Sequence, residues 1–303
     1  AQSGLPRSDR TDPELGAFLA QSGRARAVEV TLPAGRNQRL RCQSYVDIPA
    51  SELFAAAGAT GRTIASFLDG SGRVEAIWFP FTPKAWLKVG TPPPSKPFLA
   101  RAVTQPYNYP FSDSISQSIS DLVKRIVIGG EGALTPLFGQ TQLAITTAGL
   151  ALTLSGDIWG WSRTVLQYIR PTTLRVTANG YAVLARRADV QRVISEFVQF
   201  YQNRVDTYKA RGEYPMNGPV EIRVTGLDKP ADAGPGAAVP ALSALKPRPD
   251  RPEWDTAVWF DILTLPGTPA ADRFYREIEQ WMLANYTGSY ATVRPEWSKG
   301  WAY

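Results

Sequence analysis

The chain has 303 residues, 44% of them apolar and 20% charged, which fits a folded globular domain and argues against wholesale disorder. It has no histidine, which removes Ser-His-Asp and Cys-His nucleophilic catalysis and nearly all zinc, copper and non-haem iron sites, so no metal site is expected. The formal charge of +6 is scattered, with Arg36, Arg39 and Arg41 broken by neutral residues, so no nucleic-acid stripe is present.

In chain order, the polar segment from Ala1 to Gly16 lacks the apolar core of a signal peptide and does not resemble a natural start. Pro13 to Ala20 has a short helical pattern, and Ala27 to Leu32 alternates as a strand. Gln38 to Ile48 alternates cleanly, with Leu40, Cys42, Ser44, Val46 and Ile48 on one face. The lone cysteine, Cys42, therefore reads as a buried, inert thiol. Ser51 and Glu52 open an Ala-rich helix ending near Gly58, and Arg73 to Phe81 and Trp86 to Val89 read as strands.

Prolines between Gly90 and Pro110 predict an extended loop. Ser114 to Val127 reads as a helix, and Thr135-Pro136 opens another that runs to about Leu154. That second helix is apolar on nearly every side, which predicts burial or the lining of an apolar cavity; it is too short and too rich in threonine to span a membrane. Leu174 to Ala185 reads as a strand or a tight hairpin about Asn179-Gly180. Asp189 is expected to cap a long helix whose stripe is Val190, Val193, Ile194, Phe197, Tyr201 and Val205. Val220 to Thr225 and Ala257 to Leu263 are further strands flanking a Gly/Ala/Pro-rich loop, and Thr268-Pro269 opens a final amphipathic helix. Strand groups interleaved with helices, without regular alternation, predict an α+β domain: a mostly antiparallel sheet flanked by helices, with one face left for a ligand or a second domain.

The most informative segment is Asn217-Gly-Pro-Val-Glu-Ile-Arg-Val-Thr225. As a strand it puts Val220, Ile222 and Val224 on one face and Glu221, Arg223 and Thr225 on the other. Glu221 and Arg223 then lie side by side with Cα atoms about 6.5–7 Å apart. In a cavity such a pair tunes a carboxylate; on a wet surface it is a weak ion pair. The neighbouring strand places Trp259, Asp261 and Leu263 on one face, so Asp261 is either a pocket acid or a structural one, and the same holds for Glu75.

Together with Trp78-Phe-Pro-Phe-Thr82, Thr173-Leu-Arg-Val-Thr-Ala-Asn-Gly-Tyr181, Tyr214 to Asp228, Leu263-Thr-Leu-Pro-Gly267 and Arg294-Pro-Glu-Trp-Ser-Lys-Gly-Trp301, these segments resemble the flavin-linked bacterial cholesterol oxidases of the vanillyl-alcohol oxidase superfamily. The resemblance implies the substrate-binding (cap) domain of such a flavoenzyme over residues 27–303, with residues 1–26 as the end of its FAD-binding domain. It implies oxidation of a sterol 3β-hydroxyl with FAD and O₂, release of hydrogen peroxide, and isomerisation of the Δ5 double bond to Δ4. It further implies FAD held mainly by a preceding domain of the same polypeptide, through a histidine there if covalently, and a secreted or periplasmic protein touching membranes transiently.

Residue by residue, the resemblance makes Glu221 the base, Arg223 the stabiliser of charge on the sterol oxygen, and Lys299 an active-site cation. Glu75 or Glu52 would pair with Arg223 to gate oxygen. Asp261 falls where the pattern leads one to expect asparagine. Asn217 belongs to the pocket motif, and Trp78, Phe79 and Trp259 would line the sterol cavity. Two other readings stay open: a flavin oxidase for another bulky alcohol, and a non-catalytic binding module for an apolar ligand.

Overall fold

The computed structural model describes residues 7–19, 29–31, 37–93, 95–107, 109, 111, 116–166 and 175–296. Period-two alternation of β-branched and aromatic residues recurs along the chain, and most such stretches among the described residues form strands of one sheet. The strands are β1 (Arg39–Tyr45), β2 (Val74–Trp78), β3 (Trp86–Thr91), β4 (Arg101–Val103), β5 (Asp157–Trp161), β6 (Thr177–Ala185), β7 (Val220–Gly226), β8 (Thr256–Thr264) and β9 (Ala291–Pro295). Their order is β4-β5-β1-β3-β2-β7-β8-β6-β9, and only the β4–β5 pair is parallel. The helices are α1 (Leu15–Phe18), α2 (Ala50–Leu53), α3 (Ile64–Ser71), α4 (Gln117–Val127), α5 (Thr135–Leu152), α6 (Ser162–Val165), α7 (Val190–Ala210) and α8 (Ala271–Asn285). The expected α+β architecture is what the chain adopts.

One sheet face is covered by α3, α7 and α8. The predicted stripe of α7 is fully buried there, against Val220 and Ile222 of β7, Phe260 of β8 and Phe274 and Ile278 of α8. Phe197 packs on Phe260 with ring centroids 4.1 Å apart and the rings tilted by 31°. Burying each such aromatic removes a large apolar area from water, so this layer supplies most of the domain's cohesion.

The opposite face carries two smaller apolar packs. The first, over β1, β3 and β5, gathers Leu40, Ile77, Phe79, Trp86, Tyr109, Leu150 and Ile158. The second, over β6 and β8, holds Ala182, Leu184, Ala257 and Trp254. α5 docks beside the first pack by close approach: a Cβ at Gly139 would lie 2.2 Å from the carbonyl oxygen of Pro80.

Several local expectations change. Asn179-Gly180 makes no hairpin turn; both residues sit inside one uninterrupted β6, paired to β8 on one side, with the second half of the strand paired to β9 on the other. The turn propensity of the dipeptide loses to cross-strand pairing with Ile262 and Asp261 of β8. α5 is not buried all round, because Leu137 and Leu152 face outward while Phe138 and Leu150 face in. The Pro-rich loop holds the short strand β4, and α3 and β5 escape the apolar periodicity. α3 is instead signalled by its ends: Thr63 caps it by accepting from Ser66 N–H, and Gly72 closes it at φ 74°. Asp189 stands at the N-cap position of α7 as expected but makes no side-chain capping bond; it closes a 3₁₀ turn and pairs with Arg186. The helix expected after Ser51 shrinks to α2. The expected strand 27–32 and the tail beyond residue 296 lie outside the described residues, apart from 29–31, which form no strand.

Candidate functional site

Between the two apolar packs, on the face away from α7, the sheet carries charge. Alternation in β7 sends Val220 and Ile222 into the helix-side core and Glu221 and Arg223 to the other face. Register then aligns the groups across strands: Glu75 of β2 stands opposite both Lys88 of β3 and Arg223, and Glu221 stands opposite Asp261 of β8. Directly opposed side chains on one face are within reach of one another.

Arg223 is the hub. Its Nε donates to Glu75 at 2.7 Å, Nη1 to Asp261 and Nη2 to Glu221, while Lys88 Nζ pairs with the second oxygen of Glu75. The three carboxylates thus share one guanidinium, and their side chains are about a fifth exposed, at 21% for Glu75, 22% for Glu221 and 24% for Asp261. Arg223 itself is 38% exposed, so the cluster opens outward rather than closing on itself.

The shared environment separates two of the acids. Burial pushes Glu221 above the usual carboxylate range, with Glu75 and Asp261 adding repulsion that Arg223 only partly offsets. Glu75 meets a comparable burial penalty, yet Lys88 and Arg223 hold it below its usual range. Groups of one type pushed in opposite directions are the usual signature of divided acid–base roles.

Sequence reasoning missed three members. Lys88 is buried beside the cluster, with its ammonium 5.2 Å from the centre of the Trp86 ring. Glu296 follows β9, and Gly180 faces Asp261 across the β6–β8 ladder. A Cβ at Gly180 would lie 2.7 Å from Glu296 Oε2 and 3.0 Å from Asp261 Oδ1, so two carboxylates converge over this glycine. Glu296 is raised by burial and by the Asp261 charge. The signals were present as a strand glycine and a lysine in an otherwise apolar strand, both overlooked.

The other expected residues separate. Trp259 shares the charged face and donates from its indole N–H to Thr225. Phe79 packs in the apolar group beside the cluster. Trp78 does not line this face; it is buried on the helix side against Phe54 and Tyr201 because one residue along a strand flips the face. Asn217 is also structural: fully buried, it donates to Thr268 and accepts from Leu265 N–H and from Thr264. Glu52 pairs with Arg62 at an exposed site off the sheet, which leaves Glu75 as the acid that meets Arg223. Lys299 lies outside the described residues.

Two surface clefts lie elsewhere: one of about 690 Å³ at Leu99, Arg101, Tyr107 and Leu152, and one of about 850 Å³ between α2 and α7. Neither includes the charged cluster, and perturbed, converging titratable groups weigh more for chemistry than concavity. Among the described residues no set of three or more Cys, Asp or Glu side chains is arranged to hold a metal ion, and no helix is long and apolar enough to cross a membrane.

A family profile described as "Cholesterol oxidase, substrate-binding" matches residues 39–303. The chain belongs to this cholesterol oxidase substrate-binding family. Among solved structures, a solvent-stable cholesterol oxidase is 61% identical with a TM-score of 0.96, over 99% of this chain and 56% of that one. The cholesterol oxidase from B. sterolicum is 50% identical with a TM-score of 0.95, again over 99% and 56%. A single-site variant of the Brevibacterium sterolicum enzyme matches at 49% and 0.94, over 98% and 55%. The chain therefore spans little more than half the length of these cholesterol oxidases. Comparison with curated protein sequences gave no match. The substrate-binding role of the domain, and its mostly antiparallel sheet flanked by helices, are those of the family.

Proposed function

We propose that this domain receives a sterol in an FAD-dependent cholesterol oxidase that turns the 3β-hydroxyl into a ketone and moves the Δ5 double bond to Δ4. The observation that carries the proposal is the Arg223 hub, where one guanidinium holds carboxylates of opposite tendency on a sheet face between two apolar packs. A sterol is a rigid apolar body with one polar end, and here a polar centre is set between two apolar packs.

In this reading Glu221 takes and returns protons. Its raised proton affinity brings it nearer to working pH than an ordinary carboxylate. Arg223 offers N–H groups to negative charge developing on the sterol oxygen, and its pairing with Glu75 controls the approach of O₂. Asp261 and Trp259 border the substrate, and Lys299 adds a cation. The chain's residues fit the reacting edge of a flavin and not its phosphates, since a guanidinium and acids converge on an outward-facing sheet surface while the sequence has no glycine-rich phosphate loop. FAD, when bound, would supply the hydride acceptor, and O₂ would take up the two electrons and two protons to become hydrogen peroxide. Residues 1–26 belong, in the same proposal, to the FAD-binding domain, with 27–303 as the sterol domain. The protein works outside the cytoplasm and meets membranes transiently to extract sterol.

The test is to incubate the full-length protein with cholesterol and oxygen while following peroxide, sterol products and the flavin spectrum. Peroxide together with cholest-4-en-3-one is the expected result. A flavoprotein inert towards sterols would move the substrate to another bulky alcohol, and a protein without flavin would reduce the domain to a binding module.

A further inference from the structure

The mechanism above gives Lys88 no task, yet its placement is unusual. Lysine is rarely this buried, because desolvating an ammonium is costly unless the charge is paired. Lys88 is 7% exposed, at the border between the charged cluster and the apolar pack that contains Trp86 and Tyr109. It stands directly opposite Glu75 in the β2–β3 ladder and pairs with Oε2, while Arg223 Nε takes Oε1 of the same carboxylate. Glu75 is thereby gripped from both sides.

We propose that Lys88 is a positioning residue: its buried ammonium fixes Glu75 against the Nε edge of Arg223, so that the two Nη groups stay turned toward Glu221 and Asp261. The inference deepens the functional reading and rests on it for the activity readout alone. The physical argument concerns how one guanidinium divides among three acids. Without Lys88, Glu75 would need more of Arg223 to remain ionised, and the guanidinium would turn away from Glu221. A second consequence follows from charge alone, since Lys88 favours the ionised form of Glu221. Among the described residues, the charged groups acting on Glu221 are Glu75 of β2, Lys88 of β3, Arg223 of its own strand and Asp261 of β8, with Glu296 after β9 next to Asp261. Cys42 of β1 and the Tyr109 phenol lie beyond Lys88 on the apolar side, and burial raises both above their ordinary values.

The experiment uses the full-length protein with Lys88→Met, Lys88→Arg and the pair Lys88→Met/Glu75→Gln. In Lys88→Met the acid limb of the kcat/KM pH profile is expected to move up by about half a unit to one unit, because Arg223 drawn toward Glu75 stabilises the Glu221 carboxylate less, with a smaller direct contribution from the lost Lys88 charge. Lys88→Arg restores most of the shift, and in the Glu75→Gln background loss of Lys88 adds less than half of it. Should Lys88→Met fail to fold, Lys88→Gln, which keeps a donor for Glu75 without the charge, carries the same comparison. Infrared titration of isotope-labelled glutamate carboxyls reads the same shift without turnover, so the inference survives or falls even if the protein does not oxidise sterols. An acid limb unmoved in a variant that merely melts earlier, or a shift of equal size in the Glu75→Gln background, overturns it.

Discussion

The two faces of the sheet are built from the same strands and do opposite work. On the helix side, Phe197, Tyr201, Phe260, Phe274 and Ile278 are sealed by α7 and α8. On the other side, one step along each strand, Lys88, Glu75, Arg223, Glu221 and Asp261 form a half-open row. The open side of Arg223 screens its pairs, so the charged row contributes less net stability than the sealed apolar layer. Stability and chemistry are thus assigned to alternate residues, and substitutions on the two faces should separate in their effects.

The largest effect is expected from Phe197→Ala, which removes a wholly buried ring and should cost about 3–5 kcal/mol in denaturant unfolding. The residual folded protein should keep its pH profile. Arg223→Met should reverse the pattern, with catalytic efficiency down roughly a hundredfold and a smaller stability loss, since the guanidinium is partly solvated. Glu221→Gln should slow oxidation or isomerisation by more than about tenfold, measured as peroxide and enone formation; a near-normal rate would remove Glu221 from the mechanism.

The two acids also predict opposite pH dependences of stability. Glu75 binds its proton more weakly folded than unfolded, so its contribution is present above the usual carboxylate range and lost as pH falls through its depressed value. Glu221 binds its proton more tightly when folded, so its contribution is present at low pH and lost as pH rises through its raised value. Glu75→Gln should therefore flatten the acid limb of the stability curve, and Glu221→Gln should favour the neutral side, both read by unfolding at a series of pH values. The smallest effect belongs to Glu52→Gln, which should change neither melting temperature nor activity measurably, because its pair with Arg62 is exposed.

The face separation was largely legible in the sequence. Alternation in Val220 to Thr225 placed Glu221 and Arg223 together, and the α7 stripe named its own core. What escaped was set by pairing between distant strands. Whether Glu52 or Glu75 meets Arg223 depends on β2 lying beside β7, which no local pattern encodes. Asn217 looked like a pocket residue within its motif, but three hydrogen bonds to the β8–α8 turn make it structural. Asn179-Gly180 failed as a turn because pairing with β8 holds it extended. Trp78 was mistaken by a single step of parity.

The strand order has a kinetic consequence as well. β1 to β5 form one edge of the sheet, β6 to β9 the other, and β2 pairing with β7 is the seam between them. Glu75 and Arg223 meet across that seam from positions 148 residues apart in the chain. During synthesis β2 emerges long before its partner, and closing so wide a loop is slow compared with forming local helices. The reactive centre therefore cannot mature in either half alone: Arg223 waits for Glu75 until the seam zips, and chemical competence arrives only with completion of the sheet.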